Sequence, residues 1–249
     1  MTLLEVVDVR KSFGGLQAVA GVSLQVAPGE LVALIGPNGA GKTTLFHLIS
    51  GFLQPDRGDV RFEGVSTRGL KPHQVCQRGL ARTFQIVKPF QALTVLENVR
   101  VGALARIRGF GAATRKAREI LALVGLDDRA DRPARGLTLA DRKRLELARA
   151  LATEPRLLLL DEVMAGLTPT ETERVIELCR AINARGVGIL LIEHVMRAVM
   201  ALSERVVVVD QGRVIASGPP AAIASDPRVV EAYLGEAYGA VGEDRRAGA

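Results

Sequence analysis

Short, fully apolar runs alternate with amphipathic stretches along most of the chain, a pattern typical of an α/β protein built on a parallel sheet. Four of these runs predict buried strands, at residues 31–35, 157–160, 188–192 and 206–209. Residues 3–9 instead alternate apolar and polar positions, which we interpret as an edge strand. The pattern therefore predicts an α/β core preceded by exposed-edge β structure.

A block of helical periodicity interrupts the strands. Residues 95–107 and 115–124 predict two helices separated by the Gly-rich stretch 109–111, and a third helix begins at Thr138. We therefore predict a single domain over residues 1–249, subdivided as follows. The α/β core comprises 1–88 and 154–217, the helical subdomain 89–153 and a short helical tail 218–249, of which 236–249 is rich in Gly, Ala and charge.

The strongest chemical signal directly follows the first buried strand, where the chain reads G-P-N-G-A-G-K-T-T. This matches the phosphate-binding pattern G-x-x-x-x-G-K-[ST], and residues 45–50 behind it predict a helix ended by Gly51. Glycines let backbone N–H groups point at phosphate, and the helix N-terminus adds partial positive charge. Lys42 is expected to reach the β- and γ-phosphates, and Thr43 to ligate Mg²⁺. The residues predicted to bind the nucleotide triphosphate here are Gly36, Pro37, Asn38, Gly39, Ala40, Gly41, Lys42, Thr43 and Thr44.

Acidic residues and a histidine follow two other predicted strands. Asp161 and Glu162 come directly after the run at 157–160, and carboxyl ends of parallel strands share one crevice with the phosphate loop. Asp161 suits the holding of Mg²⁺, and Glu162 suits the polarising of the water that attacks the γ-phosphate. His194 ends the next strand and is placed to sense the γ-phosphate. The plainer alternatives are an acidic pair that starts a loop and a structural histidine.

The order of these motifs resembles the ATP-binding subunit of an ATP-binding-cassette (ABC) transporter over nearly the whole chain. The resemblance implies a P-loop NTPase (RecA-like) α/β core with an antiparallel β part and an inserted helical subdomain. It places Phe13 where the family stacks an aromatic ring on adenine. It places Gln85 in the Q-loop, which touches Mg²⁺ and the attacking water and couples to the membrane partner. Thr138 falls in the signature segment, residues 165–168 in the D-loop and His194 in the switch position.

Within that family the chain is most similar to the subfamily that serves branched-chain amino acid uptake. The stretches that carry this likeness are residues 33–50, 81–85, 93–99, 145–151, 165–171, 193–196 and 231–236. The resemblance implies ATP and Mg²⁺ as ligands. The catalytic residues it implies are Lys42, Gln85, Glu162 and His194, and the Mg²⁺ ligands Thr43, Gln85 and Asp161.

The same resemblance implies partners and a location. The partners are membrane permease subunits, a second ATPase subunit that is a different chain or a further copy of this one, and indirectly a periplasmic or extracellular substrate-binding protein. The location is peripheral, at the cytoplasmic face of the inner (plasma) membrane. No nucleic-acid partner is expected.

The signature segment departs from the family's pattern L-S-G-G-Q. Residues 137–141 read L-T-L-A-D, so Thr138 keeps a hydroxyl while Leu139, Ala140 and Asp141 replace both glycines and the glutamine. These side chains restrict the approach of the backbone to a partner's phosphate, and Asp141 is expected to add negative charge there. Thr138 and Asp141 also resemble a capping box that begins a helix. We expect both the helix start and a phosphate contact from Thr138.

Two lesser departures follow. Val163 replaces the proline usual after the catalytic glutamate, and Thr168 replaces the D-loop aspartate. Thr168, Pro169 and Glu171 together predict a helix N-cap, a proline at the first helical position and a capping glutamate. Our hypothesis is an asymmetric pair, in which this chain supplies intact phosphate-loop and carboxylate elements and a different subunit supplies the better signature.

Composition limits the remaining choices. With 249 residues, 48% of them hydrophobic, the chain can bury one large core and a smaller subdomain. No apolar run approaches the roughly 18 residues of a membrane span, and no N-terminal signal is evident, so a membrane role is expected to come through a partner. Cys76 and Cys179 lie far apart without metal-binding spacing and are predicted to be reduced thiols.

The basic balance raises the question of nucleic acid, since the net charge is +6 and the pI near 9.8. Only 4% of residues are aromatic and Trp is absent, so the stacking platforms of single-strand binders are missing. We therefore favour a solvated helical face, or one that docks under anionic lipids. The basic residues concerned are Arg78, Arg82, Arg100, Arg106, Arg108, Arg115, Lys116, Arg118, Arg142, Lys143 and Arg144.

Three functions remain open on the sequence. The first is the ATPase of an importer for branched-chain or related amino acids. The second is the ATPase of a transporter with another cargo, notably lipid or lipopolysaccharide export. The third is a non-transport regulatory ATPase, which a second cassette or a nucleic-acid-binding insertion would favour.

Overall fold

A computed structural model describes residues 2–85 and 88–233 of the chain. The strands are β1 (Leu4–Phe13), β2 (Leu16–Val26), β3 (Leu31–Ile35), β4 (Arg57–Phe62), β5 (Val65–Ser66), β6 (Leu80–Arg82), β7 (Leu157–Asp161), β8 (Gly188–Ile192), β9 (Arg205–Asp210) and β10 (Arg213–Gly218). The helices are α1 (Lys42–Ile49), α2 (Pro72–Gln77), α3 (Val95–Leu104), α4 (Phe110–Val124), α5 (Leu139–Leu151), α6 (Pro169–Asn183), α7 (Met196–Leu202) and α8 (Pro220–Ala224).

Two sheets form the α/β core. The larger has six strands in the order β10-β9-β3-β8-β7-β6, in which β9, β3, β8, β7 and β6 run parallel and β10 pairs antiparallel with β9. The smaller is a four-stranded antiparallel sheet in the order β2-β1-β4-β5. The predicted fold class, a parallel core with an antiparallel β part and inserted helices, is confirmed.

The larger sheet lies between two hydrophobic clusters. Alternate residues of β3 point to opposite sides, so Ala33 joins the cluster with α3 to α7 while Val32 and Leu34 join the one with α1 and the smaller sheet. All residues of β3, β7 and β8 are buried, as their uniformly apolar sequences predict. Their carboxyl ends therefore open at one edge of the sheet, where ligands bind in α/β folds.

Strand β1 corrects one expectation. It pairs with β2 on one side and β4 on the other, so residues 3–9 do not form an edge strand. The alternation reflects two unlike faces, because Val6 and Val9 are buried while Val7 is 44% exposed. Alternation reports which face is covered and says nothing about the number of paired neighbours.

Helix boundaries supply further corrections. The first helix begins at Lys42 rather than at residue 45, since the end of the phosphate loop already forms its first turn. Helix α3 ends at Leu104, and α4 begins at Phe110 with Gly109 as its N-cap, so the predicted Gly-rich separator is the start of a helix. Gly109 has a φ of +101°, which favours glycine at this cap.

The third helix of this block begins where the sequence predicts, after Thr138. Helices α3, α4 and α5 pack on one another, and the division into core, helical subdomain and tail remains a prediction. A helical stretch at 227–233 follows α8, and the rest of the predicted tail lies outside the described residues. Within residues 2–85 and 88–233, no helix combines the length and apolarity that a bilayer span requires.

Candidate functional site

The phosphate loop turns sharply between β3 and α1, and two of its glycines cannot be replaced. Gly36 has a φ of +151°, and a Cβ there would lie 1.9 Å from the carbonyl oxygen of Val209. Gly41 has a φ of +98°, and its Cβ would lie 2.2 Å from the carbonyl oxygen of Ala18. The glycines of the sequence pattern therefore serve backbone packing as well as access to phosphate.

Lys42 begins α1 and points back onto this loop. Its Nζ donates hydrogen bonds to the carbonyl oxygens of Gly36, at 2.6 Å, and Pro37, at 2.7 Å. Gly36 and Pro37 do not line the cleft described next and contribute through these carbonyl groups. The ammonium group is thus held beside the loop whose ligand it is predicted to bind.

A cleft of about 820 Å³ opens over the loop. Residues 38–44 line one side, and Phe13, Gln85 and Glu162 line the others. This volume lies within the roughly 300–1,000 Å³ typical of small-molecule sites. Phe13 ends β1 with its side chain 47% exposed, so the ring is available to a planar base. Residues of the cleft that the sequence did not indicate are Leu16, Gln17, Ala18, Ala20, Gln211, Gly212 and Arg213.

Glu162 contacts two other predicted site residues, Gln85 and His194. It follows β7 with a left-handed φ of +49°, and its N–H donates to the carbonyl oxygen of Ile192 at 3.0 Å. Gln85 donates from Nε2 to Glu162 Oε2 at 2.7 Å. His194 Nδ1 lies 3.7 Å from Glu162 Oε1, and the His194 side chain is 60% exposed. One carboxylate therefore connects the Q-loop, the strand end and the switch position.

Asp161 lies beside a second cavity, of about 480 Å³, which Thr43 and Gln85 also line. Its Oδ2 accepts a hydrogen bond from Arg82 at 2.7 Å, and its N–H donates to Thr83 Oγ1 at 3.2 Å. Hydroxyl, amide and carboxylate oxygens are the hard donors that Mg²⁺ prefers, so the three predicted ligands fit this ion. Because Arg82 engages one oxygen of Asp161, Oδ1 is the oxygen left for a metal.

No cluster of three or more His, Cys, Asp and Glu side chains suited to a metal occurs among the described residues. The three predicted Mg²⁺ ligands include only one such side chain, Asp161, because Thr43 offers a hydroxyl oxygen and Gln85 an amide oxygen. It depends on phosphate and water oxygens to complete the shell, as is usual for this ion.

Arg82 lies in this site and not on the basic surface that the sequence predicts for it. Its side chain is 5% exposed and lies near the rings of Phe46, Phe52 and Phe84, at 5.7, 6.0 and 5.4 Å. Burial lowers the pKa of Arg82, opposed by Asp161. Periodicity could not have indicated that Arg82 is buried, because β6 has only three residues. The one sequence feature that pointed to the site was the position of Arg82 directly before the Q-loop motif.

The signature segment lies apart from the cleft. Thr138 lines smaller cavities with Asp141 and several arginines, and its Oγ1 accepts a hydrogen bond from Asp141 N at 3.2 Å. The Asp141 carboxylate pairs with Arg129 and Arg144 and is 3% exposed. Only the Thr138 half of the predicted capping box forms. The expectation that Asp141 exposes negative charge to a phosphate is wrong, because two guanidinium groups bind that carboxylate.

Two further buried charges lie behind Glu162 and were not predicted. Lys143, on α5, donates from Nζ to the carbonyl oxygen of Glu162 at 2.9 Å. Glu193, after β8, accepts the N–H of Met164 on Oε1 at 2.9 Å. Burial lowers the pKa of Lys143 and raises the pKa of Glu193. Lys143 is therefore not part of a solvated basic face. The sequence feature that could have indicated its burial is its position four residues before Leu147, on the buried side of α5.

A glycine loop between a central strand and a helix, with an acidic pair at a nearby strand end and an inserted helical block, defines a P-loop ATP-binding cassette. Family profiles agree. The profile described as "ABC transporter" matches residues 19–165, and that described as "Branched-chain amino acid ATP-binding cassette transporter" matches residues 213–239. The chain belongs to the ABC transporter family, as one of its ATP-binding subunits. It is accordingly a nucleotide-binding ATPase.

Individual relatives agree with this assignment. The chain is 41% identical to the high-affinity branched-chain amino acid transport ATP-binding protein BraF of Pseudomonas aeruginosa, over 94% of this chain and 98% of the relative. It is 36% identical to the lipopolysaccharide export system ATP-binding protein LptB of Acidithiobacillus ferridurans, over 95% and 98%. A solved ATP-binding cassette of an ABC transporter in its ADP conformation superposes with a TM-score of 0.86, at 33% identity, over 95% of this chain and all of that one.

Proposed function

We propose that this chain is the ATP-hydrolysing subunit of an importer for branched-chain or related amino acids. The observation that carries the catalytic part is the Glu162 carboxylate, which lines the phosphate cleft and is contacted by both Gln85 and His194. The cargo is supported by the C-terminal match at residues 213–239 and by the similarity to BraF.

Catalysis in this proposal is a matter of positioning and electrostatics. Adenine lies on Phe13, and the N–H groups of residues 38–44 hold the phosphates together with Lys42. Glu162 orients the attacking water and accepts its proton, while Gln85 fixes the carboxylate through the 2.7 Å hydrogen bond. His194 lies on the exposed side of the same carboxylate, where it senses the γ-phosphate.

Thr43, Asp161 and Gln85 are the residues that would hold Mg²⁺, which supplies charge neutralisation to the β- and γ-phosphates when bound. Arg82 keeps the Asp161 carboxylate in one orientation, since it binds a single oxygen of that group.

We also propose a two-subunit arrangement. Thr138 lies away from this chain's own phosphate cleft, so a contact between the signature and a γ-phosphate requires a second cassette. ATP binding closes such a pair, hydrolysis opens it, and Gln85 passes the opening to membrane permease subunits. The partner cassette is a different chain in this proposal, because Leu139 and Ala140 replace the signature glycines. A substrate-binding protein acts indirectly, and the location is peripheral at the cytoplasmic face of the membrane.

Glu162→Gln tests the catalytic assignment. The variant keeps the shape of the side chain and loses the proton acceptor, so it should bind ATP normally and lose at least about 10²-fold in turnover. Glu173→Gln, on the exposed side of α6, is the matched control and should hydrolyse ATP at the normal rate. Undiminished hydrolysis by Glu162→Gln would remove this residue from the catalytic role.

Lipopolysaccharide export is the second candidate, favoured by the 36% identity to LptB. Purification of Glu162→Gln from native membranes with ATP and Mg²⁺, followed by mass spectrometry of what accompanies it, separates the two. An amino-acid permease and a second cassette would support import, and an exporter permease would support the second candidate.

A further inference from the structure

The turn that follows Glu162 is held from two sides by buried charged side chains. Lys143 Nζ donates to the carbonyl oxygen of Glu162 at 2.9 Å, and Glu193 Oε1 accepts the N–H of Met164 at 2.9 Å. Lys143 is 7% exposed and Glu193 1% exposed. The two hydrogen bonds hold the backbone groups immediately before and after Val163.

These contacts come from two different segments. Lys143 lies on α5, the helix that Thr138 caps, and Glu193 directly follows β8 and precedes His194. The signature helix and the switch position are therefore tied to the same turn. A third bond, from Glu162 N–H to the carbonyl oxygen of Ile192, completes the connection between this turn and β8.

These hydrogen bonds act on a backbone conformation that is unfavourable for a residue other than glycine. Glu162 has a φ of +49°, a left-handed conformation that is uncommon outside glycine. Such a conformation persists only where surrounding bonds over-determine it, and here the Glu162 carbonyl group accepts from both Lys143 and the N–H of Ala165, at 3.3 Å. The direction of the Glu162 side chain follows from this backbone.

We propose that Lys143 and Glu193 are positioning residues that hold the turn after Glu162. Through this turn, the placement of α5 determines the orientation of the Glu162 carboxylate, which orients the attacking water. The inference rests on the proposed function, because it takes Glu162 as the catalytic base. A small displacement of that carboxylate is costly, since about 1 Å of misplacement lowers a rate on the order of 10²-fold.

The alternative is that Lys143 only neutralises the buried Glu193 charge. Three variants in the intact transporter purified from native membranes separate the two: Lys143→Met, Glu193→Gln and the double variant. Lys143→Arg restores a donor, and Lys116→Met, a lysine of α4 paired with Glu154 at 2.9 Å, is the matched control. Each is measured for kcat, KM for ATP, ATP binding and Tm.

Positioning predicts that Lys143→Met lowers kcat at least about 10-fold with ATP affinity within about 2-fold, and that Lys143→Arg recovers most of kcat. The double variant, which lacks the buried charge at both position 143 and position 193, should recover Tm and keep the low kcat. Normal kcat in Lys143→Met, or full recovery of kcat in the double variant, would overturn the inference. If Lys143→Met fails to fold, the double variant decides alone.

Glu162→Gln is measured in parallel, so that the two failures are distinguishable. Loss of turnover in Glu162→Gln together with normal turnover in Lys143→Met would reject the positioning role and keep the proposed function. Full turnover in Glu162→Gln would reject both.

Discussion

Buried charges surround both acidic residues of the nucleotide site. Arg82 pairs with Asp161, with the two side chains 5% and 2% exposed, and Lys143 lies behind Glu162. Burying a charge is expensive unless a partner compensates it, and apolar side chains of equal volume stabilise a core at least as well. These residues are therefore better explained by orientation of the two carboxylates than by stability.

The two cysteines differ in burial. Cys179 is fully buried on α6, and burial raises the pKa of its thiol to about 12. Because the thiolate is the reactive form, raising the pH to 9 leaves Cys179 almost entirely protonated and unreactive. Cys76 is partly exposed on α2, and both cysteines are free thiols.

We expect iodoacetamide at pH 8 to alkylate one thiol in the native protein and two in denaturant, with mass spectrometry locating the native modification at Cys76. Cys76→Ser should abolish native labelling. Rapid native labelling of Cys179 would contradict the burial of α6 against the sheet.

At the scale of elements, local sequence chemistry predicted more of the structure than charge did. The N-cap at Thr168 is confirmed, with Pro169 at the first helical position and Glu171 completing the capping box through Thr168 N–H at 2.9 Å. The uniformly apolar strands were also found with little error. Helix caps and apolar strands each depend on residues that are close together in the sequence, so a short stretch of sequence is enough to predict them.

The missed features depend on residues distant in sequence. Arg82 meets Asp161 only because β6 lies beside β7, and the buried Asp141 carboxylate pairs with Arg129, which lies 12 residues earlier in the sequence. No periodicity or motif encodes such a pairing. Residue type and local pattern therefore pointed to the phosphate loop and Glu162, the family resemblance pointed to Gln85, and neither indicated the buried charges that support these residues.

Asp141 anchors the start of α5, and its removal should weaken the helical block. Asp141→Asn leaves Arg129 and Arg144 without their carboxylate and should lower the free energy of unfolding by about 1–3 kcal/mol, reduced from a fully buried pair because both arginines are partly exposed. Urea denaturation measures this. Glu173→Gln, which breaks an exposed pair with Arg197, should cost less than about 0.5 kcal/mol. Equal losses in the two variants would contradict the anchoring role.

For the molecule as a whole, the altered signature affects the rate at which the chain hydrolyses ATP without a partner subunit. We expect the purified chain to hydrolyse ATP slowly and without cooperativity, since its own signature lacks the glycines that admit a partner's phosphate. Leu139→Gly/Ala140→Gly should raise the rate and introduce cooperativity, at a cost below about 1 kcal/mol per glycine, because both positions lie in the first turn of α5. Steady-state kinetics against ATP and protein concentration check this.

Cooperative hydrolysis by the unaltered chain, at rates typical of transport ATPases, would reject the asymmetric pair. A rate unchanged by the two glycines would show instead that the signature backbone is not the limiting feature. The stability of the double variant is measured first, so that a loss of folding is not mistaken for a loss of pairing.

The position of β3 has a consequence for biosynthesis. This strand carries the phosphate loop, yet its partners in the sheet, β8 and β9, come from the last quarter of the chain. During translation both edges of β3 therefore stay unpaired until β8 and β9 have been synthesised, and unpaired strand edges are prone to aggregation. A nascent chain that stops short of β8 contains every residue of the phosphate loop but lacks both strands that flank β3 in the sheet.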